Sequence, residues 1–223
     1  MRRRDALPEL LAPAGDFECL IAAVRAGADA VYIGAREFSA RAFAKNFSLE
    51  EIDRASAYCH LHGVKLYVTV NVLQSTSEIK KSLELARVLY SYGVDALICA
   101  DLGFIRTVRH AIPELEIHAS TQMSVHNSLG ASEAERLGCS RVVLARELSE
   151  SDMRRTVENS PIPCEVFLHG ALCVSHSGQC LFSSLVGGRS GNRGECAQPC
   201  RLSYNGAKNP LSLKDLSLAM KRS

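Results

Sequence analysis

The residues of this chain best placed by type and spacing to do chemistry are four cysteines near its C-terminal end, Cys173-x6-Cys180-x15-Cys196-x3-Cys200. Thiolates are soft donors, and four of them suit either a zinc ion or an iron-sulfur cluster. Between the two pairs runs Gly187-Gly188-Arg189-Ser190-Gly191-Asn192-Arg193-Gly194, which can turn tightly enough to let distant cysteines converge. Structural zinc sites usually carry C-x2-C knuckles, and neither pair has that spacing. The C-x3-C-x2-C triad of radical S-adenosylmethionine enzymes is absent as well. The spacing therefore favours a cluster, with zinc as the runner-up and four unligated thiols as the bland alternative. The other five cysteines, Cys19, Cys59, Cys99, Cys139 and Cys164, fall on different predicted elements and read as small core hydrophobes.

Nine cysteines in 223 residues is a high count, and the compartment decides what it means. The start Met1-Arg2-Arg3-Arg4-Asp5 is basic, but Pro8, Glu9 and Pro13 break the apolar run behind it, so no secretory signal is expected. No 18-residue apolar run predicts a membrane span. The thiols read as those of a cytoplasmic protein, where clustered cysteines point to metal or redox chemistry before disulfides. Hydrophobic residues at 47% and charged residues at 22% exclude collagen-like, coiled-coil and disordered classes. A formal net charge of +2 gives no field strong enough to identify a nucleic-acid binder, and it permits an RNA partner.

The elements that must position these cysteines are legible as an alternation of strands and helices. Seven runs read as strands, at 10–12, 30–33, 65–70, 96–99, 115–118, 141–144 and 164–168. Amphipathic segments at 17–25, 49–62, 77–92, 102–111, 127–137 and 150–157 read as helices between them. Three helix exits repeat one phrase: Ala26-Gly27-Ala28-Asp29-Ala30, Tyr92-Gly93-Val94-Asp95-Ala96 and Leu137-Gly138-Cys139-Ser140-Arg141. A glycine closing a helix and a short turn feeding the next strand is the grammar of βα units. The expected fold is α/β, a (β/α)8 TIM-like barrel. Ala12-Pro13-Ala14-Gly15-Asp16 lacks a dinucleotide fingerprint, which lowers the open Rossmann alternative. No eighth strand is recognised, so the barrel is expected to be incomplete at the C-terminus. Residues 1–170 form its core, and 171–223 form a Cys/Gly-rich segment packed on its mouth in the same domain. Ser212 to Leu216 is a short strand or turn that finds no place in the barrel. The open edges are expected to be covered in part by this segment, with oligomerisation or a completing chain as the consequence.

In βα folds ligands gather at the carboxyl ends of the strands. Residues there are polar: Asn71, Asp101, Ser120-Thr121-Gln122, Arg146-Glu147 and His169. Asp101 and Ser120 have helix capping as an equal alternative. Together the set describes a polar small-molecule or nucleobase pocket. Arg146 is the candidate for an anion or phosphate, with Asn71 and Gln122 binding substrate, and His169, Asp101 and Glu147 are the catalytic candidates. No hydrolase motif survives: His60-Leu61-His62 lacks zincin spacing, and Gly188-Arg189-Ser190-Gly191-Asn192 misses a nucleophile elbow. A Cys173 pair with His176 or His169 leaves nucleophilic catalysis open.

The segment Glu165-Val166-Phe167-Leu168-His169-Gly170-Ala171-Leu172-Cys173, followed by Gly178-Gln179-Cys180 and Ser183, resembles the signature of the collagenase-like peptidase family U32. Glu9-Leu10-Leu11-Ala12-Pro13-Ala14-Gly15, His118-Ala119-Ser120-Thr121-Gln122 and Asn192-Arg193-Gly194-Glu195-Cys196-Ala197-Gln198-Pro199-Cys200-Arg201 agree with it. The resemblance implies an oxygen-independent hydroxylase of a family whose members act on RNA or on the ubiquinone ring; closest to the RNA-modifying branch, it implies a tRNA wobble uridine or an rRNA cytidine as substrate. It implies a 4Fe-4S cluster on Cys173, Cys180, Cys196 and Cys200, with prephenate as an oxygen donor. The family name implies the alternative of a collagenase-like peptidase, and the early stop of the chain implies another, an inactive binding module.

Overall fold

The computed structural model describes residues 7–40, 45–170 and 173–202. Strand and helix alternate through β1 (Leu11–Pro13), α1 (Phe17–Arg25), β2 (Ala30–Gly34), α2 (Leu49–Leu61), β3 (Lys65–Val70), α3 (Thr76–Ser91) and β4 (Ala96–Cys99). They continue through α4 (Leu102–Ala111), β5 (Glu116–Ala119), α5 (Ser128–Leu137), β6 (Arg141–Val143), α6 (Glu150–Asn159) and β7 (Cys164–Glu165). A short α7 (Phe182–Gly187) lies in the cysteine segment, where no helix was expected. The strands pair in parallel and in chain order, β1 to β7. No pairing of β7 with β1 occurs among the described residues, so the sheet curls as a half-barrel without closing.

The repeated helix-exit phrase has a mechanical role. Gly27 and Gly93 take positive φ of 92° and 76°, which lets each helix turn back toward the sheet. The aspartate two residues later then ties the new strand to its neighbour. Asp29 Oδ2 accepts from the Leu10 amide at 2.7 Å, and Asp95 Oδ2 accepts from the Leu66 amide at 2.7 Å. At the third copy, Ser140 stands in the aspartate's place, and its amide donates to the Ile117 carbonyl at 2.8 Å.

Alternation along each strand splits the sheet into two faces. Val31, Ile33, Leu66, Val68, Leu97, Cys99, Ile117 and Val142 point outward into one buried core. Leu20 of α1, Ile52 of α2, Leu89 of α3 and Phe104 of α4 fill it from the other side. Burial of each such side chain stabilises the fold by roughly 1.5–3 kcal/mol. The hollow face differs. Ala30, Tyr67, Ala96 and Ile98 form a small second cluster there, and polar groups complete it.

Glu9 accepts hydrogen bonds from the Tyr67 hydroxyl at 2.9 Å and from Arg141 Nη1, joining the two ends of the sheet across the hollow. Burial opposes ionisation of Glu9, but these two donors outweigh it and hold its carboxyl below the ordinary range. Glu165 lies 3.8 Å from Arg141 in an ion pair, and burial pushes it up to about 7. His118 is fully buried against the edge of Tyr67 at 4.7 Å, and burial, with Arg141 nearby, pushes it down to about 3. Among the described residues, neither His118 ring nitrogen nor Glu165 Oε2 has a hydrogen-bond partner.

Where boundaries differ from the sequence expectation, the ladder explains it. The seventh strand, expected to reach residue 168, ends at Glu165 because its partner ends at Val143. The first strand extends to Pro13, which is tolerated at an edge because proline has no amide proton to donate. Cys19, expected in the core, is exposed on α1, whereas Cys59, Cys99 and Cys139 are buried. The segment from Ser212 to Leu216 lies outside the described residues, as do residues 203–223 of the expected edge cover as a whole. Among the described residues no helix is long and apolar enough to cross a membrane.

Candidate functional site

The loops after β5 and β6 form a seat for the cysteine segment, and the peg that fits it is Ser177. This serine is fully buried. Its amide donates to Glu147 Oε1 at 2.9 Å and its hydroxyl donates to Glu147 Oε2 at 2.8 Å. The Ser177 oxygen accepts from the Arg146 amide at 3.3 Å and from Arg146 Nε at 3.4 Å, and the Thr121 hydroxyl reaches it at 3.4 Å. Gly178 follows with φ 72°, so close to the 3-10 turn at Thr121–Met123 that a Cβ there would stand 2.1 Å from the Gln122 carbonyl oxygen. Only glycine fits this approach. The second half of the segment is fastened separately. Arg193 donates to the Leu73 carbonyl at 2.8 Å and pairs with Glu78 at the start of α3 at 2.6 Å, and the Ala197 amide donates to buried Ser183 at 2.9 Å.

These anchors bring all four cysteines to one cavity of about 550 Å³ at the carboxyl ends of the strands. Cys173, Cys180, Cys196 and Cys200 line it together with Gln122, Arg146 and His176, with Leu181 and Phe182 as an apolar wall. The Cys200 thiol is pushed up by burial and then by the Cys173 and Cys196 sulfurs beside it. Such crowding favours thiolates only when a metal supplies positive charge. Among the described residues, no three of these sulfurs lie within 4.8 Å of one another. By the chemistry of the donor set, four soft thiolates bordering one cavity suit either a zinc ion or an iron-sulfur group.

The other expected site residues divide. Gln122 and Arg146 line the cavity. Glu147 stands behind it as the seat of Ser177. Burial opposes its ionisation, but the Ser177 amide and hydroxyl bonds prevail and hold it at about 2. Its Oε1 also meets His126 Nε2 at 3.0 Å and His176 Nδ1 at 3.3 Å. Asn71 lies off the cavity, bonded through Oδ1 to the Ala40 amide and through Nδ2 to Ser120. Asp101 caps α4, accepting from the Phe104 amide at 2.8 Å, and also accepts from the Gln74 amide at 3.1 Å. His169 is exposed beyond β7 and does not line the cavity. Sequence reasoning missed Ser177 and His126. Ser177 is one small residue within an otherwise chemical-looking motif, and nothing in the spacing of His126 marks it.

Comparisons with known proteins bear on the family and on the fold. The chain is 40% identical over 198 residues to a protein named tRNA hydroxylation protein P1 from Bacillus subtilis (strain 168), covering 89% of this chain and 47% of that one. It is 42% identical over 196 residues to a protein named a 23S rRNA 5-hydroxycytidine synthase from Escherichia coli (strain K12), covering 88% and 29% respectively. The chain thus spans about half or less of the curated relatives it matches. The solved structure of a U32 peptidase superposes with a TM-score of 0.64 at 15% identity, covering 77% of this chain and 72% of that one, which supports the barrel fold. A family model described as Peptidase family U32 matches residues 15–221, and the chain belongs to that family.

Proposed function

We propose that the chain is the barrel portion of an RNA hydroxylase, which replaces a ring C–H of a pyrimidine in tRNA or rRNA by C–OH without dioxygen. One observation carries the reading: cysteines from two separate stretches border a single cavity together with Arg146 and Gln122. The names of the relatives supply the reaction class. Cys173, Cys180, Cys196 and Cys200 would hold a 4Fe-4S cluster, which when bound supplies the electron-transfer capacity that an oxidation of this kind needs. Arg146, its Nε anchored on Ser177, offers its guanidinium to a carboxylate of a small oxygen donor, prephenate by family resemblance, or to an RNA phosphate. Gln122 presents an amide that can pair with a base edge. Glu147 keeps the cysteine loop seated, and Asp101 holds α4 in place. His169, outside the cavity wall, is the candidate for proton exchange with solvent at the mouth.

The test is nucleoside mass spectrometry of unmodified tRNA and rRNA after anaerobic incubation with iron-reconstituted protein and the donor. Gain of one oxygen by a pyrimidine, lost in Cys196→Ser, supports the reading. Cluster-loaded protein that leaves RNA unchanged and cleaves gelatin would replace it with the peptidase reading.

A further inference from the structure

We propose that His126, Glu147 and His176 form a second metal site, separate from the cysteines, that takes a single divalent transition-metal ion of the zinc type. The three residues come from different parts of the chain: the loop after β5, the loop after β6 and the long segment after β7. Their donor atoms nevertheless all lie within 4.8 Å of one another. Two donors each about 2.1 Å from one ion stand about 3.0–3.5 Å apart at octahedral to tetrahedral angles. His126 Nε2 and His176 Nδ1 are 3.0 Å and 3.3 Å from Glu147 Oε1.

Hydrogen-bond bookkeeping at His126 gives an independent reason. Its Nδ1 is 2.7 Å from the Ser124 carbonyl oxygen, which can only accept, so Nδ1 carries the proton. In the neutral ring Nε2 is then a lone pair, and it points at a carboxylate oxygen that also accepts. Something positive belongs between them. Metal-bound histidines characteristically donate their other ring N–H to a backbone carbonyl in this manner, which fixes the tautomer and aims the ligating nitrogen. Glu147 is prepared in the same way, because Ser177 bonds to both carboxylate oxygens and holds the group ionised and oriented. Two imidazoles and a carboxylate are borderline and hard donors, suited to zinc or another divalent first-row ion, whereas the four thiolates nearby suit an iron-sulfur group. The two sites share no ligand. His176 also lines the cavity, so the ion would lie at its rim with coordination positions left for an oxygen of an anionic ligand.

Cobalt(II) is the probe, titrated anaerobically into the full chain, both with the cysteine site loaded with iron and sulfide and without it. The expected result in the iron-loaded form is one cobalt per chain with no thiolate-to-metal charge-transfer band, whereas the iron-free form takes a further cobalt on its open thiolates and shows that band. His126→Ala and His176→Ala should each weaken binding by at least about tenfold. The His176 side chain is 77% exposed, so its variant tests the ligand without threatening the fold. His60→Ala, which removes a two-member pair with Asp95 at 2.9 Å, should leave cobalt binding unchanged. Absence of cobalt from the iron-loaded protein, or binding that survives both histidine variants, would overturn the proposal and leave the cluster as an imidazolium-carboxylate pair. The iron-free arm separates this outcome from failure of the iron-sulfur reading.

Discussion

Replacing Gly178 with alanine should empty the cysteine site of iron while leaving the barrel folded. The added Cβ would stand 2.1 Å from the Gln122 carbonyl oxygen, 2.8 Å from its carbon and 2.9 Å from the Gln122 Cα, where ordinary contacts begin at 3.4 Å. The separation must therefore grow by roughly 1 Å. The obstacle is backbone at the end of β5, fixed by the ladder with β4 and by the Ser120 hydroxyl on the Gln122 amide, so the cysteine loop is the part that moves. Gly178 also holds φ 72°, which costs a residue with a Cβ about 1–2 kcal/mol before any clash. A displacement of that size at residue 178 stretches the neighbouring Ser177 bonds to Glu147 and carries Cys180 with it. Metal-ligand distances tolerate only about 0.2 Å, so one of the four ligands leaves its range. The assay is iron and acid-labile sulfide per chain after anaerobic reconstitution, run beside thermal unfolding. Gly187→Ala is the control, since its Cβ meets no atom within 4 Å and its φ is not in the left-handed region. Full iron loading of Gly178→Ala with an unchanged melting temperature would refute the claim that this close approach seats the loop.

Other outcomes follow from the same contacts. Glu165 rises from an ordinary 4.5 to about 7, so the folded state binds its proton more tightly than the unfolded chain, and stability falls as pH climbs through that window. The interval corresponds to about 3 kcal/mol as an upper bound. Glu165→Gln should therefore raise the melting temperature at pH 8 relative to wild type and bring little gain near pH 4; an equal change at both would contradict the burial argument. Asp101→Ala should cost about 1–2 kcal/mol in denaturant unfolding through loss of the α4 cap, while Asp101→Asn keeps most of it and both retain iron. Loss of hydroxylation by Asp101→Asn with unchanged stability would show a chemical role instead. Ser177→Ala strands part of Glu147 and should cost about 1–3 kcal/mol and lower iron content, measured together on one preparation.

Much of the barrel was legible because βα units announce themselves locally. Gly27 and Gly93 mark helix exits, Asp29 and Asp95 mark the turns that follow, and each predicted helix lies where an apolar face recurs against a β-rich run. The meeting of the four cysteines at one cavity was legible because they flank a glycine-rich spacer that can fold back. What escaped depends on contacts distant in sequence. Ser177 reads as an ordinary loop serine until β5 and β6 place Thr121, Arg146 and Glu147 around it. His126 becomes notable only when Glu147 is opposite it. Asp101 and Asn71 sit at strand ends like binding residues, yet one caps a helix and the other pairs with Ala40 and Ser120, because polar groups there must also satisfy local backbone.

The most direct test of the central claim, that the cysteine quartet holds an iron-sulfur cluster at the barrel mouth, is non-denaturing mass spectrometry of the anaerobically purified chain. The account predicts a mass above the bare polypeptide by four irons and four sulfides, which disappears in Cys173→Ser and in Cys200→Ser while circular dichroism stays that of a folded α/β protein. A chain carrying only zinc on these cysteines, or one whose iron survives both substitutions, would contradict it.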